Sequence, residues 1–442
     1  MDKLEELKLQ VKEYNEQALV LQNNGKPEEA YEYYDKANAL DSMYIETYIN
    51  RANLYLKNEK YDEAEVNYKK ALMINKNDGR IFFHLGNLSV LKGDTNAGIE
   101  YYNKAISLGY VAARLFYSMG LIYEETKNTD LSLRNFSKAI HLDGNVPEYR
   151  IHKASLQVTL GMYEEALTTL KETTSYLPDV YEGYHYSFVI LCSLKRFEEA
   201  KNIIDKALSL FPGDPALVLD NIKYYTLTSQ YDKALEMIEE ARKMEGYQAV
   251  ELELLIEQGK VYMLQNEFEK ATEYLRKSEE LVKDGGENAE ALFLLMLIYA
   301  HNEKYELLLK CAERLSEMKT DNSFERAAFY YKPYALNKTG KKEEAKKYYK
   351  EAISYYRSAT IKEPTLVDAY LFRALCHKEL EDYVKALELA DYVGLLLDSS
   401  EVHMVKSEIY HAMKDIEMAN KEKDIAQSID TGAVKRREEE LV

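Results

Sequence analysis

The stretch IETYINRANLYLKNEKYDEAEVNYKKALMINKND, from Ile45 to Asp78, sets the pattern for the whole chain. Tyr48, Ala52 and Tyr55, then Ala64, Tyr68 and Ala71, recur at helical spacing, so each run shows one apolar face. Asn58-Glu59-Lys60 forms a polar break between the runs. The pattern predicts two helices that cannot bury their faces alone and must stack on neighbouring copies.

The copies are visible in one small residue. Ala30, Ala64, Gly98, Ser132, Ala166, Ala200 and Ala234 follow one another at a constant step of 34 residues. A small side chain suits the level where two antiparallel helices approach most closely, since a bulky group forces their axes apart. A second small column holds Ala37, Ala71, Ala105, Ala139, Thr173, Ala207 and Ala241. Three residues before each of these stands a large one: Tyr34, Tyr68, Tyr102, Phe136, Leu170, Ile204 and Ile238.

This register resembles the tetratricopeptide repeat family, whose signature is W-x2-L-G-x2-Y, then A-x3-F, then P, in about 34 residues. Phe82 with Leu85-Gly86, and Phe116 with Met119-Gly120 and Tyr123, match its opening, an aromatic replacing the tryptophan that this chain lacks altogether. Pro178 and Pro212 stand where the family closes a repeat. The resemblance implies an all-α, right-handed α-solenoid of about twelve helix pairs, whose groove binds peptides or helices of other proteins.

Residues 1–10 read as an N-terminal helix extension and cap, with Asp2 and Glu5 as a capping box, and 11–248 as seven regular repeats. Over 249–366 the small position moves to Ala271, Leu308 and Ala345, steps of 37 that predict longer helices or longer connections near 244–250, 284–288 and 320–324. Pro333 falls inside a predicted helix and predicts a kink, and the next step, to Ala386, predicts a long helix reaching toward Ile361. Two further repeats occupy 367–433, the last centred on Ala419 and Ala426, and 434–442 is a polar tail.

Composition narrows the function. A net charge of -18, from 76 acidic and 58 basic residues, lacks the basic footprint that nucleic acid or an anionic membrane requires. The start, MDKLEELKLQVKE, has no secretory pattern, and the apolar run Leu292 to Ala300 is too short to span a bilayer, so the expected location is cytoplasmic without membrane insertion. Cys192, Cys311 and Cys376 are odd in number and read as packed thiols. The 39 tyrosines fill repeat columns, rings packed and hydroxyls at a wet edge.

No phosphate loop, G-x-G-x-x-G, G-x-S-x-G or H-E-x-x-H motif occurs, and Asp284-Gly285-Gly286-Glu287 reads as a turn. The expectation is a non-catalytic scaffold or adaptor with no cofactor and no metal. His152 and His185 on adjacent repeats read as structural. The inner face of copies two to four carries Asn50, Asn53, Arg80, His84, Asn87 and Arg114, the candidate peptide-binding set: amides hold a backbone and arginines fork onto carboxylates. The co-chaperone branch of the family clamps a C-terminal carboxylate with Lys and Asn, then Asn, then Lys and Arg. Ile49 with Asn53, His84, and Arg114 with Ser118 stand in those slots here, agreeing in type at two of the five.

A second candidate surface, apolar, holds Phe293, Tyr330, Tyr331 and Tyr334, with Leu294, Leu297, Leu371, Phe372 and Leu375 near it. It either receives a partner helix or packs against a bent part of the spiral. Glu148, Glu182, Glu253 and Glu290 at helix starts read as complements to the helix dipole. The alternative function is a regulatory receptor for a short signalling peptide, although no effector module precedes Val11.

Overall fold

The computed structural model describes residues 3–282, 288–318 and 322–439, and no strand occurs among them. The protein is an α-helical solenoid of paired helices, in two compact units, Met1–Phe211 and Pro212–Val442. In the N-terminal unit the first three pairs are α1 (Lys3–Asn23) with α2 (Pro27–Leu40), α3 (Ile45–Lys57) with α4 (Tyr61–Ile74), and α5 (Gly79–Leu91) with α6 (Thr95–Ser107). The next three are α7 (Ala113–Glu125) with α8 (Thr129–Leu142), α9 (Pro147–Thr159) with α10 (Tyr163–Tyr176), and α11 (Tyr181–Ser193) with α12 (Phe197–Leu210).

Each turn within a pair passes through one left-handed residue. In this unit these are Gly25, Glu59, Gly93, Lys127, Gly161 and Lys195, at φ between 58° and 84°. Around Glu59 the N–H of Lys60 donates to Tyr55 O at 2.9 Å and that of Glu59 to Leu56 O at 3.0 Å, closing the last carbonyls of α3. Lys127 and Asn128 repeat the arrangement on Glu124 and Tyr123. The strain of a left-handed side chain, about 1 kcal/mol, is offset by these bonds.

The columns interlock. Ala30, Ala64, Ala166 and Ala200 are fully buried, as are Tyr34, Tyr68 and Phe136. In the first five pairs the first helix answers the large column with a small residue (Ala18, Ala52, Gly86, Gly120 and Ala154), whereas α11 places Phe188 there. Gly86 lies against the Tyr102 ring and Gly120 against Phe136, where an added Cβ would sit 2.5 and 2.6 Å from ring carbons. Ser132, in the small column, satisfies its buried hydroxyl by donating to Gly120 O at 2.8 Å.

Tyr34, Tyr68 and Tyr102 share a column but not a hydrogen-bonding state. The Tyr68 and Tyr102 hydroxyls donate to Asn53 Oδ1 and Asn87 Oδ1, each at 2.6 Å. The buried Tyr34 hydroxyl has no partner among the described residues, and burial pushes its pKa up to about 12. An unpaired buried hydroxyl costs about 1 kcal/mol or more. Tyr34→Phe is therefore expected to raise the urea midpoint of unfolding and Tyr68→Phe to lower it; shifts of the same sign would overturn the assignment.

The C-terminal unit opens with α13 (Pro215–Leu227) and α14 (Tyr231–Ala241), then α15 (Glu251–Leu264) and α16 (Phe268–Leu281), then α17 (Ala289–His301) and α18 (Tyr305–Glu317). It ends with α19 (Ser323–Lys338) and α20 (Lys342–Lys362), α21 (Val367–Glu379) and α22 (Tyr383–Leu396), and α23 (Ser400–Ala412) and α24 (Ile416–Glu439). Helices α13 to α18 keep lengths of 11 to 14 residues, so the first lengthened step is a lengthened connection: after α14 the chain bends at Gly246 and forms a 3-10 turn over Tyr247–Val250. Residues 283–287 and 319–321 of the other two connections lie outside the described residues, as do Asp2 of the capping pair and 440–442 of the polar tail. Asn288 and Asn322 cap the helices that follow, accepting from Ala291 N at 3.0 Å and Glu325 N at 2.9 Å. The long second helix is α20, of 21 residues, and α19 runs on through the buried Pro333 without ending.

Candidate functional site

In the N-terminal unit each second helix spends its apolar face on packing, leaving one stripe of each first helix free. On α3 the stripe is Asn50, Asn53 and Lys57; on α5 it is His84, Asn87 and Leu91; on α7 it is Arg114, Ser118, Leu121 and Glu125. Asn53, Lys57, His84, Asn87, Arg114, Ser118, Leu121 and Glu125 line one cavity of about 650 Å³, with Phe83, Val90 and Ile122 among its apolar walls.

Four of the six residues singled out in the sequence therefore meet: Asn53, His84, Asn87 and Arg114. Asn50 is half-buried on the same helix but outside the cavity lining. Arg80 is also outside it. Its guanidinium is held by Asp78 at 2.6 Å and Glu46 at 3.3 Å, and the ion pair holds the Asp78 carboxyl below its ordinary range. Lys57 was missed by sequence reasoning, although its place seven residues after Asn50 puts it on the same stripe.

The amides are oriented by the tyrosines beneath them. Asn53 and Asn87 accept through Oδ1 from Tyr68 and Tyr102, so each directs its acceptor inward and keeps its two N–H donors for a ligand. Ser118 of α7 and Tyr102 line the same cavity. Arg114 and Lys57 are exposed and have no carboxylate partner among the described residues. Glu125 is the one acidic side chain in the lining. The cavity thus carries a local positive excess on a chain of net charge -18.

His84 stacks on Tyr68 with ring centroids 5.5 Å apart, and burial, with Arg80 nearby, pushes its pKa down to about 4. It is neutral at pH 7. The unfolded chain takes up this proton near pH 6.5, the folded chain only near 4, so the stability His84 contributes above pH 6.5 is lost as the pH falls through that window. The drop in urea midpoint between pH 7 and 4.5 is expected to be smaller in His84→Gln than in the parent. Equal drops would contradict the burial of His84.

The second candidate set lies in the C-terminal unit and is largely covered. Tyr330 is 5% exposed, its ring 5.8 Å from Tyr334 and 5.9 Å from Phe372, and Tyr331 lies across Tyr334 at 6.2 Å. Phe293 packs on Phe324 at 5.0 Å. These rings belong to the apolar core of that unit. His152 lies edge-on to Tyr117 at 5.4 Å, whereas His185 lies beside Tyr186. No cluster of three potential metal ligands, and no helix long and apolar enough to cross a membrane, occurs among the described residues.

A tetratricopeptide repeat model matches residues 45–78, and a second matches 14–42, 79–108 and 334–358. Those residues carry tetratricopeptide repeats. Such repeats are generally non-catalytic modules that bind protein partners. It is 33% identical over 82 residues to the TPR repeat-containing protein YpiA of Bacillus subtilis (strain 168), a match spanning 19% of this chain and 19% of that relative. Among solved structures it is similar to YrrB, a TPR protein with an unusual peptide-binding site, at 24% identity and a TM-score of 0.34, covering 42% of this chain and 95% of that one. MamA is similar at 20% identity and a TM-score of 0.32, covering 36% of this chain and 92% of that one.

Proposed function

We propose that the protein is a non-catalytic, cytoplasmic scaffold that holds an extended peptide segment of a partner protein in the groove of α3, α5 and α7. Carboxylates of the peptide meet Lys57 at the end of α3 and Arg114 at the start of α7, and its backbone carbonyls accept from Asn53 and Asn87. The observation that carries this reading is the cavity of about 650 Å³ with two unpaired cations and two oriented amides. That volume suits a few peptide residues. No cofactor takes part, and the charge of -18 disfavours nucleic acid as the partner.

The test is affinity capture from source-cell extract by the full chain, beside a Lys57→Glu, Arg114→Glu variant of equal helicity by circular dichroism. Truncating or reversing charges that meet a partner carboxylate costs about 2 kcal/mol or more, some thirtyfold in affinity. A partner captured by the parent is expected to be lost by the variant. Equal capture by both overturns the reading. Arg80→Glu serves as a control that leaves capture unchanged, because Arg80 is already engaged by Asp78 and Glu46.

A further inference from the structure

Two register columns line the groove described above, and both continue beyond it with changed chemistry. One runs Asn50, His84, Ser118, His152, Tyr186; the other runs Asn53, Asn87, Leu121, Ser155, Val189, each at the repeat step. Where copies two to four present amides and charge, α11 presents an aromatic ring and a branched aliphatic side chain, Tyr186 at 43% and Val189 at 47% exposure. Both border a second cavity of about 370 Å³ between α9 and α11, floored by Val158, Leu170 and Ile190. Its lining carries no charged side chain other than the ionisable His152.

One ring contact lies between the two cavities, which share no lining residue. Tyr117, on α7 beside the groove residue Ser118, meets His152 edge-on at 5.4 Å, and His152 lines the second cavity. A chain leaving Arg114 along the first helices therefore crosses Tyr117 and His152 and reaches Val189. We infer that the ligand is a bipartite peptide: a carboxylate on Arg114 and a large apolar side chain in the cavity of Val158, Tyr186 and Val189. This rests on the groove reading above and adds to it a specificity site two repeats away.

The spacing follows from the fold. Packed helices lie about 8–10 Å apart, so the cavity between α9 and α11 is roughly 10–15 Å from the α7 stripe. An extended chain advances about 3.3 Å per residue. The carboxylate and the apolar anchor are then separated by about three to five residues. An anchor of that size, moved from water into an apolar cavity, accounts for roughly tenfold or more in affinity, while the carboxylate supplies direction and charge selectivity.

The experiment is selection of a phage-displayed random dodecapeptide library on the full chain, followed by fluorescence anisotropy with a labelled peptide of the enriched class. The parent is compared with Arg114→Glu and Val189→Asp, each checked for parental helicity; Val189 is exposed enough to accept aspartate. Enriched peptides are expected to pair a carboxylate with a leucine, phenylalanine or similar residue at the stated separation. Val189→Asp should weaken binding by at least tenfold, and replacing the peptide's apolar residue with alanine should weaken the parent but add little in the variant. If Arg114→Glu abolishes binding while Val189→Asp and the alanine peptide change nothing, the second site is refuted and the groove reading stands. If neither variant weakens the selected peptides, both fall together.

Discussion

Gly120→Ala is expected to destabilise the N-terminal unit by roughly 2 kcal/mol, although alanine is the better helix former by about 1 kcal/mol. The sign is set by packing. A Cβ on Gly120 would lie 2.6 Å from Cδ1 and Cε1 of Phe136. That ring is fully buried and boxed by Tyr117 at 5.8 Å and His152 at 6.2 Å, so it has nowhere to retreat. Overpacking of a closed core costs about 1–3 kcal/mol, and here it must exceed the helix gain because the clash is with a rigid ring. Gly120→Val, which adds two more carbons in the same place, should lower the urea midpoint further. The chain contains its own rescue: at the equivalent level of the next pair Ala154 faces Leu170. Adding Phe136→Leu to Gly120→Ala should recover most of the loss, a non-additivity expected of residues in contact. Additive losses would falsify the steric account. The ring also supports Tyr117 and His152, so Gly120→Ala is expected to weaken any ligand that uses the second cavity.

Tyr356→Ala should cost about 3–5 kcal/mol, the range for deleting a buried aromatic ring, and Tyr356→Phe only about 1–2, the loss of one buried hydrogen bond. Tyr356 is fully buried, with Phe372 at 6.0 Å and Tyr355 at 5.5 Å, and its hydroxyl donates to Arg326 O at 2.6 Å. It lies on the part of α20 that extends past the length of an ordinary second helix, where this bond ties α20 back to α19. Loss of the ring should therefore loosen the end of α20 before the rest of the unit. Hydrogen exchange of the 357–362 amides is the sensitive measurement, with Tyr176→Ala, at a site 71% exposed, as the reference. Protection unchanged from the parent would show that the long helix does not depend on this anchor.

Much of this was legible in the residues. A repeat must make the same contact at the same place in every copy, so the small and large columns, the step of 34 and its change to 37 were readable without coordinates. The left-handed turn residues follow the same steps, through Ser229, Asn266, Glu303 and Gly340. Only the glycines and Asn266 among them carry a sequence signal. Glu59, Lys127 and Lys195 adopt that conformation because the hydrogen-bonded turn imposes it, not because their own preference does.

The groove divides the same way. Helical spacing, together with the inner groove that the resemblance implies, placed Asn53, His84, Asn87 and Arg114 on one face, and the cavity contains all four. Which charges stay free is a different kind of fact. Arg80 and Arg114 occupy equivalent positions one repeat apart, yet Asp78 and Glu46 meet the first and no carboxylate among the described residues meets the second. Likewise the sequence left the rings of Tyr330, Tyr331 and Tyr334 open as a partner surface or as internal packing, and Phe372 and neighbouring helices largely cover them. Periodicity is local and repeats with the chain, so the sequence alone determined the helices, their pairing and the face each presents. Burial and part of the ion pairing depend on groups 30 or more residues away, as in Arg80 with the Glu46 carboxylate and Tyr356 with the Arg326 carbonyl, so only the packed structure decided which of those faces remain open.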